Sequence, residues 1–275
     1  GLGILTSPCG GHAAQLASLQ ERVDSWTRKH HDGHLPASLV WMSYVHQLGP
    51  GLQYGLGTLT NDLSAAEGCL ASAEFTLLPL LGVNRHIKRG WRTLHQTFGG
   101  VGLIDLPIEQ FICRINIFQQ HYGTPSSIGR KLSVSLHWLQ LQIGTTDCPF
   151  TLEYNTWAHL SPLCWSKCFW ETLDKYNVGL EMTYSTLMMQ REGDCTIMNF
   201  LLPHMPTKSI MLSVNRCRCY LNALFLSDMT SLDGSSIIDD MVWGSRTPLR
   251  SRMRFPPEHP TKADWSQWVV TWTAA

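Results

Sequence analysis

Charge is scarce in this sequence. Asp, Glu, Lys and Arg make up 15% of the 275 residues, and Lys+Arg and Asp+Glu balance at 21 each. With no net charge, no global field draws the chain towards nucleic acid or an acidic membrane, so any such contact must rest on a local patch. Long apolar runs are also missing, since none approaches the ~18–20 residues of a membrane span. The first residues carry neither a basic lead nor a small-residue cleavage site, so no signal peptide is expected. The nine cysteines are odd in number and irregularly spaced, and several sit in apolar helical contexts. Reduced thiols in an intracellular protein are therefore expected, not a disulfide framework. There is no phosphate-binding glycine loop either. The run from Gly99 to Gly102 is not followed by Lys-Ser/Thr and reads as a tight turn. No Ser-His-Asp order or nucleophile elbow stands out.

What is present is a chain long enough to bury a real core in one domain or two. Its eleven Trp residues read first as core anchors. Apolar residues recur at helical spacing along most of its length. One stripe is Leu16, Leu19, Val23 and Trp26, broken by Gly33 and Pro36; another begins at Leu39, Met42 and Val45, and Gly49-Pro50-Gly51 is expected to end or kink it. A helix with apolar positions from Leu63 to Leu78 follows a cap at Asn61 or Asp62, with Gly68 inside it and Pro79 at its end. Further stripes are Phe111, Ile115 and Phe118; Leu132, Leu136, Leu139 and Ile143; Trp165, Phe169, Leu173 and Tyr176; and Ile210, Val214, Cys217, Leu221 and Leu224. Thr261 and Asp264 have capping-box spacing ahead of a face built from Trp265, Trp268 and Trp272. Residues 178–190 hold short β-prone runs. The fold class expected is mainly α: a helical bundle over 1–143 and a second helical region over 150–275 with a few short strands. The opening Gly1-Leu2-Gly3-Ile4-Leu5 is apolar and strand-like, and such a strand needs a neighbour. A chain that starts inside a larger folded protein is the expectation.

Several segments, in order, resemble the region downstream of the polymerase core in non-LTR-type retroelement reverse transcriptases, nearest to a group found in diatoms and similar eukaryotes. Gly1-Leu2-Gly3-Ile4-Leu5, a turn, and the helix near Ala13 are similar to that family's LG-[VI] strand and first thumb helix. His95 through Gly99-Gly100-Val101-Gly102-Leu103 to Leu106 resembles its G-G-x-G-L-x-x-L segment. Arg130 to Gly144 with Trp165 to Asn177 resembles a helix pair of the group, and Trp243-Gly244 to Pro256 with Pro260-Thr261 and Asp264-Trp265 resembles its C-terminal end. The resemblance implies a thumb and a downstream helical connection. The parent would be an intracellular RNA-directed DNA polymerase, with the nucleus as one location the resemblance allows, whose palm precedes this chain and holds Mg²⁺. The implied partner is an RNA–DNA or DNA duplex.

Such a palm needs three carboxylates to hold two metal ions, two of them adjacent Asp in a hairpin. Asp239-Asp240, after Ile237-Ile238, imitates that pair, but it lies far beyond the thumb-like start and reads as a solvated helix end or turn. No catalytic residue, metal site or cofactor is therefore expected within this chain, which is expected to be inactive alone. The feature most suited to nucleic acid is Arg85-His86-Ile87-Lys88-Arg89-Gly90-Trp91-Arg92. Here Arg85, Lys88, Arg89 and Arg92 can neutralise phosphates while Trp91 stacks on a base or sugar; the plain alternative is a solvated basic loop with Trp91 packed into the core. Arg22, Arg28 and Lys29, on the first thumb-like helix, are the second choice. Arg246, Arg250, Arg252 and Arg254 form another cluster, expected to pair with the acidic stretch from Asp228 to Asp240. His30, His31 and His34 with Asp32 straddle Gly33 and read as a polar helix end, not a metal site. Cys164, Cys168, Cys217 and Cys219 read as packing residues. The rival class is a non-catalytic helical interaction or scaffold protein, including a decayed retroelement remnant.

Overall fold

The computed structural model describes residues 12–31, 34–60, 68–180, 191–244 and 259–275. The opening run 1–5, the caps Asn61 and Asp62, residues 181–190 of the β-prone stretch and the Arg246–Arg254 cluster lie outside the described residues. Within them the chain is mainly α-helical. In place of the short strands there are two isolated antiparallel bridges, Thr196 with Phe225 and Thr230 with Ile237. Contacts divide the chain into two units, one ending at Thr124 and the other beginning at Pro125. That break falls ahead of the expected division between 1–143 and 150–275, because the helix Ser127–Ile143 packs against helices of the second unit.

In the first unit, α1 (Ala13–His31) buries Leu19, Val23 and Trp26, three of the four residues of the expected stripe. Next come α2 (Ala37–Ser43), a π turn (Tyr44–Leu48) and α3 (Gly49–Gln53) without a break. Pro50 thus does not end the helical run. It sits in the first turn of α3, directly after the π turn. Tyr44 is fully buried; it meets Trp26 edge-on, and its hydroxyl accepts from the Ile104 N–H at 3.2 Å. α4 (Ala71–Leu80) packs Ala73, Leu77 and Leu78 inward and contacts α1. Gly68 lies in the turn before this helix and not within it, and Pro79 falls in its last turn. The short α5 (Arg89–Thr93) precedes α6 (Leu106–His121), whose Asp105 cap accepts from the Ile108 N–H. α6 buries Phe111 and Phe118 and also Arg114, which donates to the Leu59 carbonyl at 2.9 Å.

The second unit is built on α7 (Ser127–Ile143), α8 (Tyr154–Trp157), α9 (Trp165–Lys175), α10 (Ile197–Leu201), α11 (Lys208–Leu221), α12 (Asp239–Val242) and α13 (Lys262–Ala274). α7 contacts α9 and α11, and α11 lies against α13. Leu132, Leu136, Leu139 and Ile143 are all buried, as are Val214, Cys217, Leu221, Trp268 and Trp272. At the centre is Arg218, 1% exposed, with no carboxylate against it among the described residues. Its guanidinium donates to the carbonyls of Leu141 (2.7 Å), Gln142 (3.1 Å) and Ala223 (3.1 Å) and to Asn215 Oδ1 (2.8 Å). The first two are carbonyls that the last turn of α7 cannot satisfy itself, and the helix dipole places negative charge there. A buried cation is thus balanced by a helix end. Gly144 completes that end at φ +79°, where a Cβ would lie 2.5 Å from Met198 Cγ and 2.9 Å from Arg218 Nε.

α13 opens with the expected capping box: the Thr261 hydroxyl accepts from the Asp264 N–H at 3.2 Å, and the Asp264 carboxylate accepts from the Thr261 N–H at 2.8 Å. Burial alone would raise the Asp264 pKa, but donors from Ser213 and Thr261, with Arg216 at 3.7 Å, outweigh it and hold the pKa below the ordinary carboxylate value. A depressed folded pKa stabilises fully above the unfolded carboxylate range and is lost as pH falls through the folded value. Asp264→Ala is expected to cost about 1 kcal/mol at neutral pH. Urea unfolding across pH checks it, and the gap from the parent chain should close in acid.

Candidate nucleic-acid interface

Residues 85–103 fold back on themselves without forming a sheet. The N–H groups of Val101, Gly102 and Leu103 donate to the carbonyls of Trp91 (3.0 Å), Leu94 (3.0 Å) and Arg92 (2.8 Å). The reversal occurs at a short 3-10 turn, Gln96–Phe98, followed by Gly99 at φ +82°, and Gly102 lies at +80°. This is the tight turn expected of the glycine run. Gly100 is needed for a different reason: a Cβ there would lie 1.9 Å from the Leu94 carbonyl oxygen.

Arg92 holds this segment together. Its Nε donates to the Ile87 carbonyl at 2.8 Å, and a terminal nitrogen donates to the Arg85 carbonyl at 3.0 Å. The other terminal nitrogen pairs with Glu74 on α4 at 3.0 Å. Arg89 turns to Asp105, the cap of α6, at 3.1 Å, with its side chain still 47% exposed. Arg89, Arg92 and Glu74 line one pocket of 160 Å³ with Leu70, Ile104 and Pro107. Of the five residues singled out in this segment, Arg92 is therefore scaffold and Arg89 is half committed to an ion pair. Arg85 and Lys88 are exposed, and among the described residues neither has an acidic partner. Trp91 is 51% exposed, so it does not take the core position that the plain alternative assigned it. Phe98, at the tip of the reversal, is 74% exposed and escaped the sequence reading. The available signal was a Phe directly before two glycines, where no helix face exists to bury it.

The second group lies on α1. Arg22 donates to the Gly51 carbonyl, while Arg28 and Lys29 are exposed. Arg22 and Lys29 share a groove of 450 Å³ with Glu21, Gln47 and Leu48. No residue of 85–92 lines that groove, so the structure does not merge the two basic groups there.

The remaining sequence motifs resolve as structure. His30 is buried, stacked on Trp26 with ring centroids 4.3 Å apart, and its Nδ1 lies 2.8 Å from the Trp26 carbonyl. It is a packing residue and not the polar end expected, because its place in the α1 stripe turns it inward; Asp32 lies outside the described residues. Asp239 and Asp240 stand exposed at the start of the one-turn α12. Among the described residues no group of His, Cys, Asp or Glu is arranged to hold a metal ion. Among the described residues no cysteine forms a disulfide; Cys168, Cys217 and Cys219 are buried and Cys164 is partly so. Burial pushes the pKa of Cys164 up despite nearby N–H donors and Lys167. No described helix is long and apolar enough to cross a membrane. Compared with known proteins, the chain matches no family model, no curated protein and no solved structure.

Proposed function

We propose that this chain is the thumb and downstream helical region of a retroelement reverse transcriptase, and that it grips the primer–template duplex through its backbone. The observation that supports this most is the division of labour around Arg92. That residue pins the 85–92 segment from within, and Arg85, Lys88 and Trp91 remain outside on a braced surface. Two cations beside an exposed indole suit phosphates and an adjoining sugar or base, and a braced surface loses little freedom on contact. In this reading the DNA-synthesis chemistry and its Mg²⁺ belong to a palm outside this chain, and the chain's own part is positioning.

The competing reading is a non-catalytic helical scaffold. The internal pairing of Arg89 and Arg92 favours it, since half of the basic segment is spent on the fold. Affinity for an RNA–DNA hybrid at low salt separates the two. The Arg85→Gln/Lys88→Gln double variant, with Arg92 left intact, is expected to bind the hybrid more weakly whatever its sequence. Unchanged affinity in that variant would favour the scaffold.

A further inference from the structure

The helix that carries Trp91 has no apolar anchor of its own. α5 is five residues long and none of them is buried. So short a helix is not stable in water by itself, because nucleation costs more than its few bonds return. Apolar packing does not close the space beside it either, since a pocket of 160 Å³ lies between α4, α5 and the start of α6. What holds α5 is polar. The Val101 and Leu103 N–H groups donate to the carbonyls of Trp91 and Arg92. Arg92 pairs with Glu74 at 3.0 Å, and Arg89 pairs with Asp105 at 3.1 Å. The Arg89 side chain is 47% exposed, which makes the second pair the weaker tie.

The Glu74–Arg92 pair is more sheltered, with side chains 15% and 20% exposed. Glu74 also stands on a firm base. It lies in the first turn of α4, where the helix dipole favours a carboxylate, and Ala73, Leu77 and Leu78 of that helix are buried. α4 in turn contacts α1. Of the three acceptors that fix Arg92, the carbonyls of Arg85 and Ile87 belong to its own segment, and Glu74 alone comes from another helix. Trp91 directly precedes Arg92, and its indole is half exposed. The place of the ring therefore follows the backbone that Arg92 pins.

We propose that Glu74 is a positioning residue: acting through Arg92, it sets where Trp91 stands without touching nucleic acid itself. As a statement about hybrid binding this rests on the reading of the 85–92 surface as a duplex grip; as a statement about Trp91 it does not. Without Glu74, Arg92 keeps both carbonyls of its own segment, so Arg85 and Lys88 stay where they are. The number of phosphate contacts is then unchanged, and what is lost is the pre-organisation of Trp91.

Indole ¹⁵N–¹H NMR of the full chain reads Trp91 directly, with its signal assigned by its loss in Trp91→Phe. Glu74→Ala is expected to shift that signal and to leave the signal of Trp26, whose indole donates to Ser43, in place. Glu74→Gln keeps an acceptor for Arg92 and is expected to stay close to the parent chain. An unchanged Trp91 signal in Glu74→Ala overturns the proposal, and so does a Trp26 shift as large as that of Trp91, which would mark a general loosening of the unit. In hybrid binding at low salt, Glu74→Ala is expected to weaken affinity roughly fivefold with no change in salt slope. In a Trp91→Ala background the same change is expected to cost little more, because both act through one ring. Losses that add in the double variant make Glu74 a plain structural residue and overturn the proposal. Affinity that rises in both Glu74→Ala and Glu74→Gln, with a slope steeper by about 1, would mean that Glu74 only masks the Arg92 charge, and overturns it too. A parent chain that binds no hybrid contradicts the duplex grip, and the Trp91 signal then decides the role of Glu74.

Discussion

Replacing Arg218 with methionine is expected to remove at least about 3 kcal/mol from the stability of the second unit. The side chain is 1% exposed, and its guanidinium satisfies the carbonyls of Leu141, Gln142 and Ala223 together with Asn215 Oδ1. Methionine fills much of the volume and donates nothing, so buried acceptors lose their partners at roughly 1–3 kcal/mol each, less what relaxation and water recover. The negative end of α7 also loses the charge that balances it. Lysine is expected to recover only part of the loss, because one ammonium cannot reach acceptors spread around a planar fork. Urea unfolding of the full chain, followed by far-UV circular dichroism and Trp fluorescence, reads the change; with two units, the transitions are fitted separately. A loss below about 1 kcal/mol would mean that the helix-end network is not what holds this unit together.

Gly100→Ala is expected to be the most damaging single-methyl change in the first unit. Its Cβ would lie 1.9 Å from the Leu94 carbonyl oxygen and 2.4 Å from the Leu94 carbonyl carbon, and both are backbone atoms that no rotamer change can move. The turn must open to admit the methyl, which strains the bonds from Gly100 to His95 and from Gly102 to Leu94. The expected cost is about 2–3 kcal/mol, at the upper end of overpacking effects. Hybrid binding should fall with it, because Trp91 and Arg92 are tied to the returning strand by the Val101 and Leu103 N–H groups. Gly99→Ala is the control. Gly99 has φ +82° but open space around its missing Cβ, so only the backbone term of about 1–2 kcal/mol applies. Thermal unfolding of the two variants side by side checks the order. A Gly99→Ala variant more damaged than Gly100→Ala would contradict the packing of this turn.

Much of the helical framework is legible in the sequence, because apolar period and end signals are local. Leu132, Leu136, Leu139 and Ile143 all reach the core from one helix, and Thr261 with Asp264 closes the capping box that its spacing implies. The Gly49-Pro50-Gly51 segment does not end the helix as its residues suggest, and local residue preference does not register the π turn just before it. The buried arginines left a signal that was passed over. Arg218 is four residues after Val214 and three before Leu221, and Arg114 is three after Phe111 and four before Phe118, so each cation sits on an apolar stripe. The candidate interface is legible only in part. Its composition marks 85–92 as basic, but what takes Arg92 and Arg89 out of contention are Glu74 and Asp105, eighteen and sixteen residues away. Pairings at that separation depend on how α4 and α6 meet the segment, and no spacing rule encodes them.

The most direct test of the central claim is the salt dependence of RNA–DNA hybrid binding by the full chain and by the Arg85→Gln/Lys88→Gln variant. The account predicts that the logarithm of the affinity falls linearly with the logarithm of salt concentration, and that the slope shrinks by about 2 in the variant, roughly 1 for each phosphate contact removed. A slope that is the same in both proteins, or no binding at low salt, would contradict a duplex grip by this surface.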